Sequence, residues 1–186
     1  MKKRIEFYLS LFAVLISLLA VSISHWQLEV TREHNRLSVK PKISITPYLE
    51  GVGGRNGVYI ENSGLGPGTI IEFQVHTPNG VFSGLGEDKW SHVFAKNNIE
   101  SFCFAKGWPD PGSTLKSGDK VALLEISKAA PDGCYLKSLE LLQRDDITVK
   151  VKYQSLYEEE FSAERKMLVN SKELEIINSI INKYVK

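Results

Sequence analysis

The longest apolar run of the chain lies near its N-terminus, at residues 7–23, and its polar breaks are Ser10, Ser17 and Ser22. Extended to Trp26, the run is 20 residues long. A helix rises about 1.5 Å per residue, so this length covers the roughly 30 Å hydrocarbon core of a bilayer. The pattern therefore predicts a cytoplasmic tail and transmembrane helix over residues 1–26, with residues 7–26 in contact with lipid.

The sequence leaves a secretory signal open as an alternative to this anchor. Ser22-Ile23-Ser24 has the small-x-small form of a cleavage site, but the apolar run is longer than the core of about 7–15 residues that such signals carry. An uncleaved anchor is therefore the main prediction. Lys2, Lys3 and Arg4 precede it, and a short tail with three cations resists translocation. We therefore expect a single-pass inner-membrane protein with a cytoplasmic N-terminus and a periplasmic or extracellular main domain.

Residues 27–39 are predicted to continue the membrane helix as a juxtamembrane stalk. Residues 27–36 contain no Gly or Pro, and Glu33 with Arg36 has the i,i+3 spacing of a helical ion pair. Pro41 disfavours helical geometry at Lys40, so the helix is expected to end before it.

Residues 40–169 change to a period of two, which is typical of half-buried strands. The alternation predicts short strands at residues 43–49, 57–62, 69–76, 102–104, 121–126, 147–157 and 161–165, with the last as the return strand of a hairpin. Turn-rich segments lie between them, and no helical pattern of 10–15 residues separates the strands. This spacing favours an immunoglobulin-like antiparallel β-sandwich over an α/β fold. Most of residues 83–114 fits neither period.

The C-terminal segment, residues 170–186, has the pattern of an amphipathic helix. Asn170 and Glu173 form a capping-box-like pair. The apolar stripe consists of Leu174, Ile177, Ile181 and Tyr184. Packing on the chain's own β domain is one interpretation, and docking on a partner or a neighbouring copy is the other. A membrane-surface role fits less well, because the polar face mixes acidic and basic residues.

Composition narrows the class of protein without changing this outline. The 186 residues are 42% hydrophobic and 24% charged, with a formal net charge of +1. That mixture is typical of a folded chain. It gives no overall basic surface, so no nucleic-acid partner is expected.

The search for catalytic or metal-binding motifs is negative, and the sequence predicts a non-enzyme without cofactors or catalytic residues. None of the four histidines belongs to an HExxH motif, and GxSxG and Walker A sequences are lacking. Acidic residues cluster at Asp145-Asp146 and at residues 158–160, where solvated carboxylates are the simpler interpretation. Residues 51–56 miss the dinucleotide-binding fingerprint at its last glycine and are interpreted as a hairpin loop.

Cys103 and Cys134 are candidates for a disulfide if the domain faces an oxidising compartment. A bridge across this separation is expected to contribute about 3–4 kcal/mol. Two unrelated thiols are the alternative that spacing alone leaves open.

Trp90 and Trp108 are candidates for a ligand or partner contact, since tryptophans often anchor interfaces. The alternative interpretation is that both pack inside the domain.

Three short segments resemble a loose group of small bacterial single-pass membrane proteins of uncharacterised function that carry an immunoglobulin-like sandwich. They are residues 35–41 after the anchor, residues 62–67 after a strand, and residues 151–157 before the last hairpin. The resemblance implies a membrane-anchored sandwich and brings no catalytic residues.

Two functions follow as hypotheses. The first is a non-enzymatic membrane protein whose outer domain binds another membrane or envelope protein, as an accessory subunit or sensor of an envelope complex. The alternative is a small-ligand or glycan-binding module that uses Trp90 and Trp108. Formation of a homo-oligomer is compatible with both.

Overall fold

The computed structural model describes residues 2–50, 54–86, 89–127, 130–131, 133–168 and 175. The chain divides into two compact units, residues 1–38 and 39–186. The predicted C-terminal helix at residues 170–186, with Leu174, Ile177, Ile181 and Tyr184, lies outside the described residues.

The first unit is one continuous helix, α1 (Lys2–Ser38). It is long and apolar enough to cross a membrane, with a mean hydropathy of 2.3 over its most apolar 18 residues. The serines in the apolar part donate their hydroxyls to backbone carbonyls three or four residues earlier, as Ser10 does to Phe7 and Ser22 to Leu18. Such internal bonds satisfy polar side chains where water is absent.

The second unit contains two antiparallel β-sheets. The first has the strand order β1 (Ile43–Leu49), β2 (Asn56–Asn62), β7 (Lys120–Ile126) and β5 (Phe104–Lys106). The second has the order β4 (Gly80–Ser83), β3 (Gly68–Thr77), β8 (Thr148–Gln154) and β9 (Glu160–Lys166), and β6 (Thr114–Leu115) pairs with the start of β3. Buried residues from both sheets form one hydrophobic core.

The hairpins follow from local sequence. β1 and β2 pair antiparallel as consecutive strands, and residues 155–159 join β8 to β9. Pro78 and Asn79 form the tight turn between β3 and β4, where Gly80 adopts φ 136°. Glycine adopts this conformation without steric strain.

Two short helices depart from the predicted strand pattern. They are α2 (Lys89–Lys96) and α3 (Cys134–Leu142). The predicted strand at residues 102–104 is also shifted, because a 3-10 helix (Ser101–Cys103) precedes β5. That turn rotates the chain, so Phe102 is exposed while Phe104 is buried, and the two do not share a face.

Candidate functional site

The two cysteines form a disulfide at the margin of the first sheet. Cys103 ends the 3-10 helix, Cys134 begins α3, and their sulfur atoms lie 2.14 Å apart. Both residues are buried. The bond fastens the N-terminus of α3 beside β5, whose first residue follows Cys103 directly.

Trp90 and Trp108 belong to the core, as in the packing alternative, and do not form an exposed platform. Trp90 lies on α2 with Val93 and Phe94, so the buried face of that helix carries its ring inward. The two indole rings meet edge to face at 5.5 Å. Each indole N–H is satisfied by a backbone carbonyl, that of Gly107 for Trp90 and that of Gly84 for Trp108.

Trp108 also lines a cleft of about 300 Å³ that opens between the sheets. Its apolar wall includes Ile60, Ile70, Leu115 and Val121, and Asp110, Ser113 and Thr114 contribute polar groups. Val121 pairs with the fully buried Ile60, yet 46% of its own surface is exposed. The cause is that β5 pairs only with residues 124–126 of β7 and leaves the first part of that strand uncovered. The cleft is large enough to accept one apolar side chain or a small ligand.

A buried asparagine fastens the segment through which the chain enters the β domain. Asn62 is 1% exposed. Its side-chain oxygen accepts hydrogen bonds from the N–H groups of Lys42 (3.1 Å) and Gly64 (3.0 Å). Its amide nitrogen donates to the carbonyls of Gly66 (2.8 Å) and Leu115 (2.9 Å). This single side chain therefore joins three segments at one end of the domain.

The glycines of the same loop allow a close approach of two backbones. A Cβ on Gly66 would lie 1.8 Å from the Val39 carbonyl oxygen, and one on Gly64 would lie 2.2 Å from the Lys42 nitrogen. The loop of residues 63–67 therefore requires glycine where it contacts residues 39–42. We call this end of the domain the proximal end, because it contains the first residues of the domain along the chain; it also includes the turns at residues 116–119 and 155–159.

The proximal end exposes large apolar side chains at its turns. Leu65 is 73% exposed, and Leu156 and Tyr157 at the β8–β9 turn are also exposed. Exposed apolar and aromatic side chains at loop tips are typical of interaction sites. The sequence pattern placed Leu65 in a turn but put Leu156 and Tyr157 at the end of the predicted strand at residues 147–157, whereas β8 ends at Gln154. It singled out none of the three.

A network of rings and charges covers the outer face of the first sheet, and sequence reasoning missed it. The Arg55 guanidinium lies 4.0 Å from the centre of the Tyr48 ring, and Lys120 donates to the Tyr48 hydroxyl at 3.0 Å. Tyr59 packs edge-on against Tyr48 and donates its hydroxyl to Glu125 at 3.0 Å. Burial, followed by this hydrogen bond, raises the pKa of Tyr59 to about 12. These residues lie on β1, β2 and β7 and, for Arg55, directly before β2, so only the strand register reveals their contact.

The acidic clusters have ordinary structural roles where the structure describes them. Asp146 accepts two hydrogen bonds from the Arg144 guanidinium, at 2.8 and 2.6 Å, which hold the pKa of its carboxyl below the usual range. Glu158 and Glu159 lie in the β8–β9 turn. Among the described residues, no group of three or more His, Cys, Asp or Glu side chains is arranged to hold a metal ion.

Comparison with known proteins gives no further guide to the site, since no protein family, curated protein or solved structure matches the chain. Its functional interpretation therefore depends on the geometry described above.

Proposed function

We propose that the protein is a non-enzymatic, single-pass membrane protein whose extracytoplasmic, immunoglobulin-like sandwich binds another envelope protein, as an accessory subunit or sensor of a complex. The observation that carries this proposal is the combination of α1 with a β domain whose two cysteines are bridged. Stable structural disulfides form in oxidising compartments, and the cytoplasm keeps most thiols reduced. This favours a domain outside the cytoplasm, with the three N-terminal cations on the cytoplasmic side.

The sandwich assignment is supported by the two antiparallel sheets and their shared core. The interaction role is supported by the apolar side chains exposed at the proximal end, Leu65, Leu156 and Tyr157. They lie on turns that β2, β3, β8 and β9 hold in place, so a partner would meet a preformed surface.

Protease accessibility tests the location. In intact cells with a permeabilised outer envelope, external protease should digest the domain, whereas sealed inverted membrane vesicles should protect it. Without reductant, a cut between Cys103 and Cys134 should leave the fragments joined, and reductant should separate them. Digestion only in inverted vesicles would contradict the proposal, since it would place the domain in the cytoplasm.

Site-directed photo-cross-linking tests the interaction. A photoreactive residue at Leu156 should capture a distinct protein in native membranes. The same residue at Lys96, which is exposed on α2 at the other end of the domain, is the matched control. Equal products from both positions, or none from Leu156, would count against the proximal end as the binding surface.

The cleft beside Trp108 supports a second candidate function, binding of a small apolar ligand. Val121→Trp should fill the cleft from its open side and leave the buried core intact. If a ligand binds there, its binding to the wild-type protein should change the fluorescence of Trp108. The variant should not take up the ligand. Unchanged uptake by Val121→Trp would exclude the cleft as the site.

A further inference from the structure

Strand β9 forms an edge of the second sheet, and β1 of the first sheet packs close to it. It pairs with β8 from Glu160 to Lys166, and no strand in the described part of the chain pairs with its other side. The N–H of Ser155 bonds the carbonyl of Glu159, and the N–H of Met167 bonds that of Ile147. Antiparallel strands alternate between bonded and non-bonded pairs. The odd-numbered residues of β9 therefore bond to β8, and the backbone groups of its even-numbered residues face outward.

The other sheet edges are short or blocked. Among the described strands, β5 has three residues and β4 has four. β1 has seven, but Pro47 lies within it and lacks an N–H. The N–H of Ile43, at the start of β1, is already used by the Tyr153 hydroxyl at 3.3 Å. An edge strand as long as β9, without proline, is a template for pairing with another strand.

The sequence of β9 is complementary to itself when two copies run antiparallel. If Ala163 lies on a two-fold axis, Glu160 faces Lys166 of the second copy and Ser162 faces Glu164. The backbone groups of these even-numbered residues face outward. The two-fold axis produces each pair twice, so four pairs exchange about eight backbone hydrogen bonds. Phe161 faces Arg165, and the small Ala163 meets its own copy. Every charged side chain therefore faces an uncharged or oppositely charged one.

The neighbouring registers lack this match. With Ser162 on the axis, Glu160 faces Glu164 of the second copy. With Glu164 on the axis, the two Glu164 carboxylates face each other. Like charges directly opposite in a sheet are destabilising. The Ala163-centred register is therefore the one that charge favours.

We propose that β9 pairs with β9 of a second copy of this chain about a two-fold axis at Ala163, which joins the second sheets of the two domains. This inference rests on the proposed function, because it assumes that the β domain is an interaction domain. A strand pair alone is a small interface, and anchoring of both copies in one membrane raises their effective concentration.

A single cysteine at the axis tests the pairing in the full-length protein. The native cysteines are bridged, so Ala163→Cys adds the one reactive thiol. Cα atoms in a non-hydrogen-bonded antiparallel pair lie about 4.5 Å apart, within disulfide range. We expect a disulfide-linked dimer on mild oxidation of native membranes. Ser162→Cys is the matched control, because Ser162 faces Glu164 and not its own copy, and its yield should be about tenfold lower by this geometry.

A charge exchange distinguishes the proposed register from random collision. In the Ala163→Cys background, Glu160→Lys or Lys166→Glu alone should lower the dimer yield about three- to tenfold, because each brings like charges together at two symmetric positions. The double variant should restore the yield. Both side chains lie at the exposed ends of β9, so the fold should tolerate the changes.

The outcomes separate this inference from the proposed function. Equal yields from Ala163→Cys and Ser162→Cys, or no rescue by the double charge exchange, would overturn pairing through β9. If the photo-cross-linker at Leu156 still captures another protein, the proposed function would survive that result. A cytoplasmic domain would refute the proposed function, and the cross-link yields under added oxidant would still decide the pairing.

Discussion

β1 and β9 are both seven-residue strands at the edge of a sheet, but their free sides differ. Pro47 and the bond from Ile43 to Tyr153 block the edge of β1, while the outward backbone groups of β9 have no strand partner in the described chain. Natural sheets commonly protect long edges against unwanted pairing. The edge of β1 is closed by proline, whereas β9 carries four charged residues whose signs match those of a second copy. The comparison therefore points to β9 as the edge available to a specific partner.

The largest expected effect concerns how β1 is fastened. Asn62→Ala would leave two donors and two acceptors without their partner, and each unsatisfied buried group costs about 1–3 kcal/mol. We expect a loss of about 4 kcal/mol or more in the free energy of unfolding, measured by denaturation of the full-length protein in detergent. Asn62→Asp keeps the acceptor oxygen and should lose less. A loss below about 1 kcal/mol would show that the four hydrogen bonds of Asn62 contribute little to the stability of the domain.

Removal of the disulfide, which lies at the β5 edge of the first sheet, should have the next largest effect. Closing a loop between cysteines 31 positions apart is expected to contribute about 3–4 kcal/mol. Cys103→Ser with Cys134→Ser should lower the unfolding free energy by that amount, whereas the cross-link yield of β9 in the Ala163→Cys background should persist. Loss of the β9 cross-link under conditions where the domain stays folded would mean that the two margins are coupled.

Alkaline pH should lower the free energy of unfolding through Tyr59, which lies on the outer face of the first sheet. Tyrosine in an unfolded chain ionises near pH 10, whereas the pKa of Tyr59 is raised to about 12. Between these values the folded state retains a proton that the unfolded state has lost, so stability falls as pH rises. Unfolding at pH 9 and pH 11 should show a decline below about 2 kcal/mol that Tyr59→Phe reduces. Tyr157→Phe, at an exposed tyrosine, should leave the decline unchanged; equal declines in all three proteins would refute this cause.

The smallest change in stability is expected from opening the edge of β1. Pro47→Val restores an N–H in an edge strand and should alter the unfolding free energy by less than about 1 kcal/mol. It should nevertheless produce larger oligomers, detected by light scattering of the purified protein in detergent. An unchanged oligomeric state would mean that proline is not what keeps β1 unpaired.

Strand periodicity predicted most of the strands in the two sheets, but it did not predict the two short helices α2 and α3. The run from Trp90 to Phe94 has helical spacing, but the eight residues of α2 are fewer than a periodicity window requires. In α3 the buried position between Cys134 and Leu141 is Ser138, which donates its hydroxyl to the Tyr135 carbonyl. The apolar stripe of this helix is therefore interrupted.

The candidate sites depended on register, which periodicity does not supply. The alternation in residues 161–165 predicted a strand, but not which backbone groups would face outward. That parity became visible only from the bonds of Ser155 and Met167. Likewise, nothing local in Asn62 indicates that its amide reaches Lys42 and Leu115, which are 20 and 53 positions away.

The bond between Cys103 and Cys134 closes the chain into a covalent ring that contains β5, β6 and β7. β7 lies between β2 and β5, so the ring passes through the interior of the first sheet. A single proteolytic cut within the ring would therefore release no fragment, and the nicked domain would keep both ends of the break attached to the same body. Such a cut would add only the mass of one water, and the two fragments would separate only after a reductant opened the ring.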